Sequence, residues 1–384
     1  MRPLYFSIMV AAVTLSAAAQ ENGDKLKVTP TGRILADGAV YMPGDEHEGF
    51  TSGVAIPDAR IGVKASYGKW KAKLDLGFAY AKVNMKDIFI EYDFNPSNFI
   101  RAGYFVQQFG LNSATSSSMK VTMEESTSNE FFYAGPRLIG AMYQHSVPKW
   151  FATASVFVEN QAISMNASQM GKQGYGFQSR LLWRPITTDG RIVQIGSSFN
   201  YATPTYSTDE ELNHKSFTFS SNFPSRVSKV SLLDVTIDHA TGQFKCSPEL
   251  LLGYGRMALE SQYYYMNIWR DGGFGNYQAH GVYGILRGIV KGGDYVYSPG
   301  DGGIATPAPG SLEVALMYNY TNANDTSADI YGGITQGASC TLNYYINKYM
   351  IARLRYSYTT VRDRAIDPAD RHVNTIQARF QIIF

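Results

Sequence analysis

The chain is poor in cysteine, in charge and in long apolar runs. Only Cys246 and Cys340 occur among its 384 residues, which excludes a disulfide scaffold and a cysteine-held metal cluster. A bridge between these two is disfavoured as well, because Cys340 leads into Leu342, Tyr344 and Ile346 on a register that predicts lipid-facing side chains. Charged residues make up 17% of the chain, below the roughly 25% of ordinary soluble domains. The formal net charge is +2, or +1 without Arg2, so neither a nucleic-acid partner nor a polybasic surface is indicated. Beyond residue 20 there is no stretch of about 18 apolar residues, which excludes a helical membrane span. No Pro-, Ser- or charge-rich linker divides this part of the chain.

Catalytic signatures are missing too. The six histidines (His47, His145, His214, His239, His280 and His372) have no metal-ligand spacing and no His-Glu-x-x-His motif. His145-Ser146 stands without a marked nucleophile and reads as a loop or wall histidine. Gly171 to Gly176 lacks the Gly-Lys-Ser/Thr ending and the following helix of a phosphate cradle, and reads as a turn. Glu124 and Glu125 are adjacent, and neighbours on an extended chain point apart. No catalytic residue, metal or cofactor is assigned.

Aromatic residues and glycine are abundant: 27 Tyr, 21 Phe and 36 Gly. They are arranged with a period of two. At the end of the chain Asn374, Ile376, Ala378, Phe380, Ile382 and Phe384 alternate with Thr375, Gln377, Arg379 and Gln381. Ala59, Ile61, Val63, Ala65 and Tyr67 alternate with Arg60, Gly62, Lys64 and Ser66. After Gly68-Lys69-Trp70, Ala72, Leu74, Leu76, Phe78 and Tyr80 alternate with Lys71, Lys73, Asp75 and Gly77. Ala352, Leu354, Tyr356 and Tyr358 alternate with Arg353, Arg355, Ser357 and Thr359, after a short turn at Asn347-Lys348-Tyr349. Strands with one apolar and one polar face, ending on an aromatic residue, suit a barrel whose outer face meets lipid and whose lumen holds water.

Residues 1–20 carry Arg2, an apolar stretch from Leu4 to Leu15 and the small residues Ala17, Ala18 and Ala19. This is the pattern of a cleaved secretory signal peptide, too short for a permanent anchor. Residues 21–384 then form the barrel. Long polar stretches at Met42–Gly53, Ser113–Ser128, Tyr201–Asn213, Asp271–Asn276, Gly292–Gly310 and Arg362–Arg371 read as extracellular loops, set against short periplasmic turns. With about 10 residues per crossing and connections that roughly double this, the expected fold is an all-β antiparallel transmembrane barrel of about 16 strands.

At this point a family resemblance enters. Ile56-Pro57-Asp58-Ala59-Arg60-Ile61-Gly62-Val63, Trp70 to Leu76, Val83 to Tyr92 and Arg101-Ala102-Gly103-Tyr104-Phe105 follow one another in a familiar order. Phe109-Gly110-Leu111, Ser116-Ser117, Met123-Glu124, Gly135 to Gly140, Glu260 with Tyr263-Tyr264, Leu312 to Tyr318, Leu342 to Tyr345 and Gln377 to Phe384 continue it. The chain resembles the phosphate-selective porin O and P family of Gram-negative outer membranes. That resemblance implies a 16-stranded, trimeric porin in the outer membrane, surrounded by its lipid, with a third loop folded inward to narrow the pore. Three departures argue against strong phosphate selectivity. The family's arginine pair is Ala59-Arg60 here, Glu125 stands where an arginine is expected, and only Arg226, Lys229 and Lys245 lie where the family carries an arginine ladder.

The expected function is passive diffusion of small hydrophilic solutes with a mild anion preference. The alternative is an outer-membrane barrel that is no channel: an adhesin, a scaffold or a barrel hydrolase. Constriction residues are expected at Arg60, Lys64, Arg101, Lys120, Glu124, Glu125 and Arg137, with Lys71, Lys73, Arg353, Arg355 and Arg379 along the wall. Rings of fixed charge on these faces would set the sign of the ions admitted.

Overall fold

The computed structural model of the protein describes residues 25–44, 49–133, 136–365 and 371–384; the expected signal segment and His47 lie outside them. Sixteen strands among the described residues close into one antiparallel barrel. They are β1 (Lys27–Pro43), β2 (Gly53–Tyr67), β3 (Trp70–Gly77), β4 (Asn84–Asn95), β5 (Asn98–Val106), β6 (Arg137–Val147), β7 (Trp150–Val158), β8 (Tyr175–Thr188) and β9 (Arg191–Ala202), then β12 (Ala240–Tyr254), β13 (Met257–Arg270), β14 (Tyr277–Lys291), β17 (Leu312–Asp325), β18 (Ile330–Tyr345), β19 (Met350–Arg364) and β20 (Arg371–Ile383). Two small hairpins, β10 (Phe217–Asn222) with β11 (Ser231–Ile237) and β15 (Tyr297–Ser298) with β16 (Gly303–Ile304), stand apart from the barrel ladder. Closure is made by β1 against β20, with Gly38 opposite Ala378 and Asp37 opposite Arg379.

The period-two patterns decide which face of each strand meets which medium. On β20, Ile376 and Phe380 are exposed on the outside, while Gln377, Arg379 and Gln381 are buried on the inside. On β19, Leu354, Tyr356 and Tyr358 face out and Arg353, Arg355 and Ser357 face in. In water this would be an inside-out protein. In a bilayer it is the arrangement that keeps every strand's backbone paired while apolar side chains meet hydrocarbon. No helix among the described residues is long and apolar enough to cross a membrane. Both cysteines are free thiols, with Cys340 exposed on the outer face.

One end of the barrel has connections of two to four residues for all but one strand pair. The exception corrects the sequence reading. Gly292–Gly310 was expected among the extracellular loops, but it joins the twelfth and thirteenth barrel strands, so strand parity puts it at the short-turn end. It folds upward into the lumen. Tyr295 donates to Glu313 at 2.6 Å, Tyr297 to Gln194 at 2.5 Å, and Arg180 and Arg184 of β8 donate to the carbonyls of Asp301 and Pro299 at 2.7 and 2.9 Å. From the long-loop end the β10–β11 hairpin also enters the barrel, burying Phe217, Phe219, Phe223, Leu232, Leu233, Val235 and Ile237 in the largest apolar cluster.

Candidate pore and its charged lining

The connection that follows β5, described over residues 107–133, lies inside the barrel and runs around much of its inner wall. Its first helix, Gly110–Ala114, is pressed against β9 and β13: the Gly110 amide donates to Ser198 at 2.8 Å and the Asn112 amide to Gln262 at 3.2 Å. Gly110 has φ +77°, and a Cβ there would run into the Gln262 amide, so only glycine allows this approach. The segment then passes β1, where Arg33 donates to Ser118 at 2.9 Å, and β19, where Arg353 donates to the Ser118 carbonyl at 2.9 Å. Asn343 of β18 reaches the Val121 carbonyl, and Arg379 of β20 reaches the Met123 carbonyl at 2.7 Å. The second helix, Thr127–Tyr133, returns along β17, β14 and β13, with Ser128 donating to the Tyr320 carbonyl at 2.9 Å and the Phe132 ring stacked on Tyr264.

This loop fills the lumen beside β9 to β20 and leaves open space beside β1 to β6. A cavity of about 600 Å³ there is bounded by Arg33, Arg60, Lys64, Lys73, Arg101 and Arg137 on the strands, by Ser113 to Met119 and Glu125 on the loop, and by Arg226 and Asp301. Most of these cations are paired. Arg60 holds Asp58 at 2.7 Å, Lys73 holds Asp87 at 2.6 Å and Asp75 at 2.7 Å, Arg137 holds Asp87 at 2.7 Å, and Arg101 holds Glu91 at 2.6 Å. Arg33 shares Asp58 with Arg60. Seven basic side chains line this space against four acidic ones (Asp75, Asp87, Glu125 and Asp301), but Asp58, Glu91 and Glu124 stand behind the arginines they pair with. Lys64 is thus the lining cation with no acidic partner among the described residues.

The remaining expected residues are placed elsewhere. Lys71 pairs with Glu91 and Asp93 near the short-turn rim, its side chain half exposed. Lys120 is only 4% exposed and donates to the Asn112 side chain at 2.7 Å and to its carbonyl, with Glu125 3.9 Å away. Burial lowers its pKa, against the pull of Glu125 and Glu260. Glu124 accepts from Arg379 at 2.7 Å and from Arg226 at 3.0 Å. Its own burial would raise its pKa, but Arg379, Arg226 and Arg355 together hold it below the ordinary carboxylate value. Arg353, Arg355 and Arg379 face inward yet bond the loop and the hairpin rather than water. The two adjacent glutamates do point apart: Glu125 accepts from Asn129 at 2.7 Å, away from Arg379.

Comparison with known proteins adds the family. The family model described as "Phosphate-selective porin O and P" matches residues 28–384. The chain belongs to that porin family. This porin therefore resides in the outer membrane of a Gram-negative bacterium and serves as a passive channel. No curated protein sequence matches the porin. Among solved structures it is similar to OmpTdeltaL8, a loop L8 deletion mutant of the Vibrio cholerae outer membrane protein OmpT (TM-score 0.59, 9% identity, covering 94% of this chain and 99% of that one). It is also similar to an anion-selective porin from Comamonas acidovorans (TM-score 0.59, 10% identity, 94% and 100% covered) and to the outer membrane channel DcaP of Acinetobacter baumannii (0.57, 12%, 95% and 99%). At these identities the likeness is one of fold.

Sequence reasoning missed several of the porin's inner residues. Arg33 and Asp37 sit on β1, where Arg33, Leu35, Asp37, Ala39 and Tyr41 face in and Ile34, Val40 and Met42 face out. That alternation is itself the signal by which both could have been found. Arg180 with Glu249, an ion pair of 2.7 Å with neither side chain exposed, lies under the Gly292–Gly310 segment and gives no comparable cue.

Proposed function

We propose that this porin passes small hydrophilic solutes with a mild preference for anions, that it works as a homotrimer, and that residues 1–20 are removed as its signal peptide. The basic side chains that reach the open space, above all Lys64 with no acidic partner among the described residues, carry the reading on selectivity. Fixed charge in a narrow water column between low-dielectric walls is focused rather than diluted. In this reading Arg60, Lys64, Arg101 and Arg137 form one wall of the constriction and Glu125 belongs to the other, while Lys120 and Glu124 shape the loop that narrows it. The ion pairs keep the preference mild, since each paired cation offers the lumen little net charge. The Comamonas acidovorans relative in fold is described as anion-selective, and a Vibrio cholerae OmpT structure as a trimer form.

The test is a planar bilayer separating two potassium chloride concentrations. A reversal potential of the sign that chloride permeation produces is expected. The opposite sign would overturn the anion preference, and a folded barrel giving no conductance steps would overturn the channel. Assembly is read from an unboiled gel, where a band near three times 42.5 kDa is expected. A monomer by light scattering in mild detergent would count against the trimer.

A further inference from the structure

Apart from the open space beside β1 to β6, a second cleft of about 340 Å³ opens at the long-loop end of the barrel. Its floor is the inner face of β9 and β12, where Asn200 and Lys245 stand opposite each other in the ladder and Gln243 lies one inward position away. Its sides are rings: Phe157 of β7, Phe217 and Phe219 of the hairpin, and Phe132 of the loop helix.

Three polar groups on that floor are unfinished. Lys245 is 6% exposed, and its ammonium donates to the Phe132 carbonyl at 2.7 Å and sits 4.6 Å from the centre of the Phe219 ring. No carboxylate among the described residues lies within ion-pair distance of it. Asn200 donates to Gln178 at 2.9 Å, which fixes its amide, but its Oδ1 has no partner. The Oε1 of Gln243 has none either. A buried ammonium without a counterion is costly, and so is each orphaned carbonyl oxygen. Of the two carboxylates at the rim, Glu159 is occupied by the Gly174 and Tyr206 amides at 2.7 Å. Glu130 accepts from Asn222 at 3.1 Å, and burial pushes it up to about 7, so it bears only part of a charge at neutral pH.

We propose that this cleft is a binding site for a small aromatic carboxylate bearing a hydroxyl group, held at the outer mouth of the pore. The ammonium of Lys245 takes the carboxylate, the free Oε1 of Gln243 accepts the single proton of the hydroxyl, and the phenyl rings cover the flat apolar body. A sugar would ask for more hydrogen-bonding side chains than four phenylalanines supply, and the volume suits a single ring. As a loading site for solute the cleft rests on the channel reading; as a binding site it does not.

The test uses the full barrel in detergent and 4-hydroxybenzoate as probe, followed by calorimetry, with acetate and phenol as controls. The wild type is expected to bind 4-hydroxybenzoate at least tenfold tighter than either control. Lys245→Met, checked for folding by its unboiled gel mobility, should lose tenfold or more. Gln243→Leu, which leaves the ammonium in place, should bring 4-hydroxybenzoate down to the affinity of benzoate. Absence of binding by the wild type, phenol binding as tightly, or unchanged affinity in either variant would overturn the site. Because binding is read without conduction, a barrel that binds the probe and stays silent in a bilayer would fail as a channel and keep the site.

Discussion

Lys64 reaches the open space without an acidic partner among the described residues, whereas Arg60, Lys73, Arg101 and Arg137 each hold a carboxylate at 2.6 to 2.7 Å. That difference singles out the cleanest probe of the field. Lys64→Glu reverses one charge without removing a member of any ion pair, and sets the new carboxylate opposite Lys73 in the ladder, so the barrel should fold normally. The permeability ratio should move toward cations severalfold, on the order of 1 kcal/mol for a unit charge near a permeating ion in water. Reversal potentials check this, and an unchanged value would remove Lys64 from the conduction path. A second residue gives a pH dependence. Glu130 is pushed up to about 7 by burial, above its ordinary value of 4.5, with the Asn222 hydrogen bond working the other way. Its folded form thus prefers the proton, and stability falls as pH rises from about 4.5 to about 7 and then levels off. After correction for the intrinsic, base-catalysed exchange rate, protection in Thr127–Tyr133 should be lower at pH 8 than at pH 5, by an amount on the order of 1–3 kcal/mol. Glu130→Gln should flatten the profile; a variant that keeps the slope would trace it to another group.

The third loop and the Gly292–Gly310 segment enter the lumen from opposite ends and meet there. Thr306 lies 3.7 Å from the Met119 sulfur, and Leu111 packs with Tyr295 and Tyr297. Each element suggests its own variant. Gly110→Ala adds a Cβ against Gln262 at a positive φ, which costs about 1–3 kcal/mol where it is tolerated at all. The loop should loosen from β9 and β13, and single-channel conductance should rise and become noisier. Replacing residues 293–310 by an Asn-Gly turn leaves the β14–β17 ladder untouched. The barrel should still fold, with a larger conductance; an unchanged conductance would mean the segment obstructs nothing.

These two elements also mark where the sequence stops being legible. β2, β3, β19 and β20 are legible because lipid on one side and water on the other impose a strict alternation, although the pattern that runs on to Tyr80 overshoots β3, which stops at Gly77 before the turn at Ala79–Ala81. A segment folded inside the barrel obeys no such rule. Phe217 and Phe219 of β10 alternate with polar residues just as a wall strand does, yet they point into the apolar cluster that caps the lumen. Gly292–Gly310 has the composition of any long loop, and its end of the barrel depends on the parity of a strand count that composition fixes only approximately. Lys120 and Glu124 make the same point for the pore. The sequence shows their charge, but only packing shows that one is capped by Asn112 and the other by two arginines.

At the scale of the whole molecule, Arg379 of β20 is the joint of several parts. It holds Asp37 of β1 at 2.6 Å, Glu124 at 2.7 Å and the Met123 carbonyl, and neither it nor Asp37 is exposed. Arg379→Met would leave two buried carboxylates without their shared cation, a loss of about 3–5 kcal/mol. The variant should unfold on gels at a lower temperature than the wild type, and equal temperatures would show the network to be slack.

The same contacts bear on how the molecule comes together. β1 and β20 are the first and last strands, so their meeting is the ring-closing step and the one with the greatest loop entropy to overcome. The third loop grips both of them, through Arg33 on one and Arg379 on the other. A loop already docked on β20 would hold β1 nearby and raise its effective concentration at the joint. The segment that narrows the finished pore would then also serve as an internal template during assembly. Variants that weaken its grip on Arg33 should close slowly, even where the completed barrel is hardly less stable.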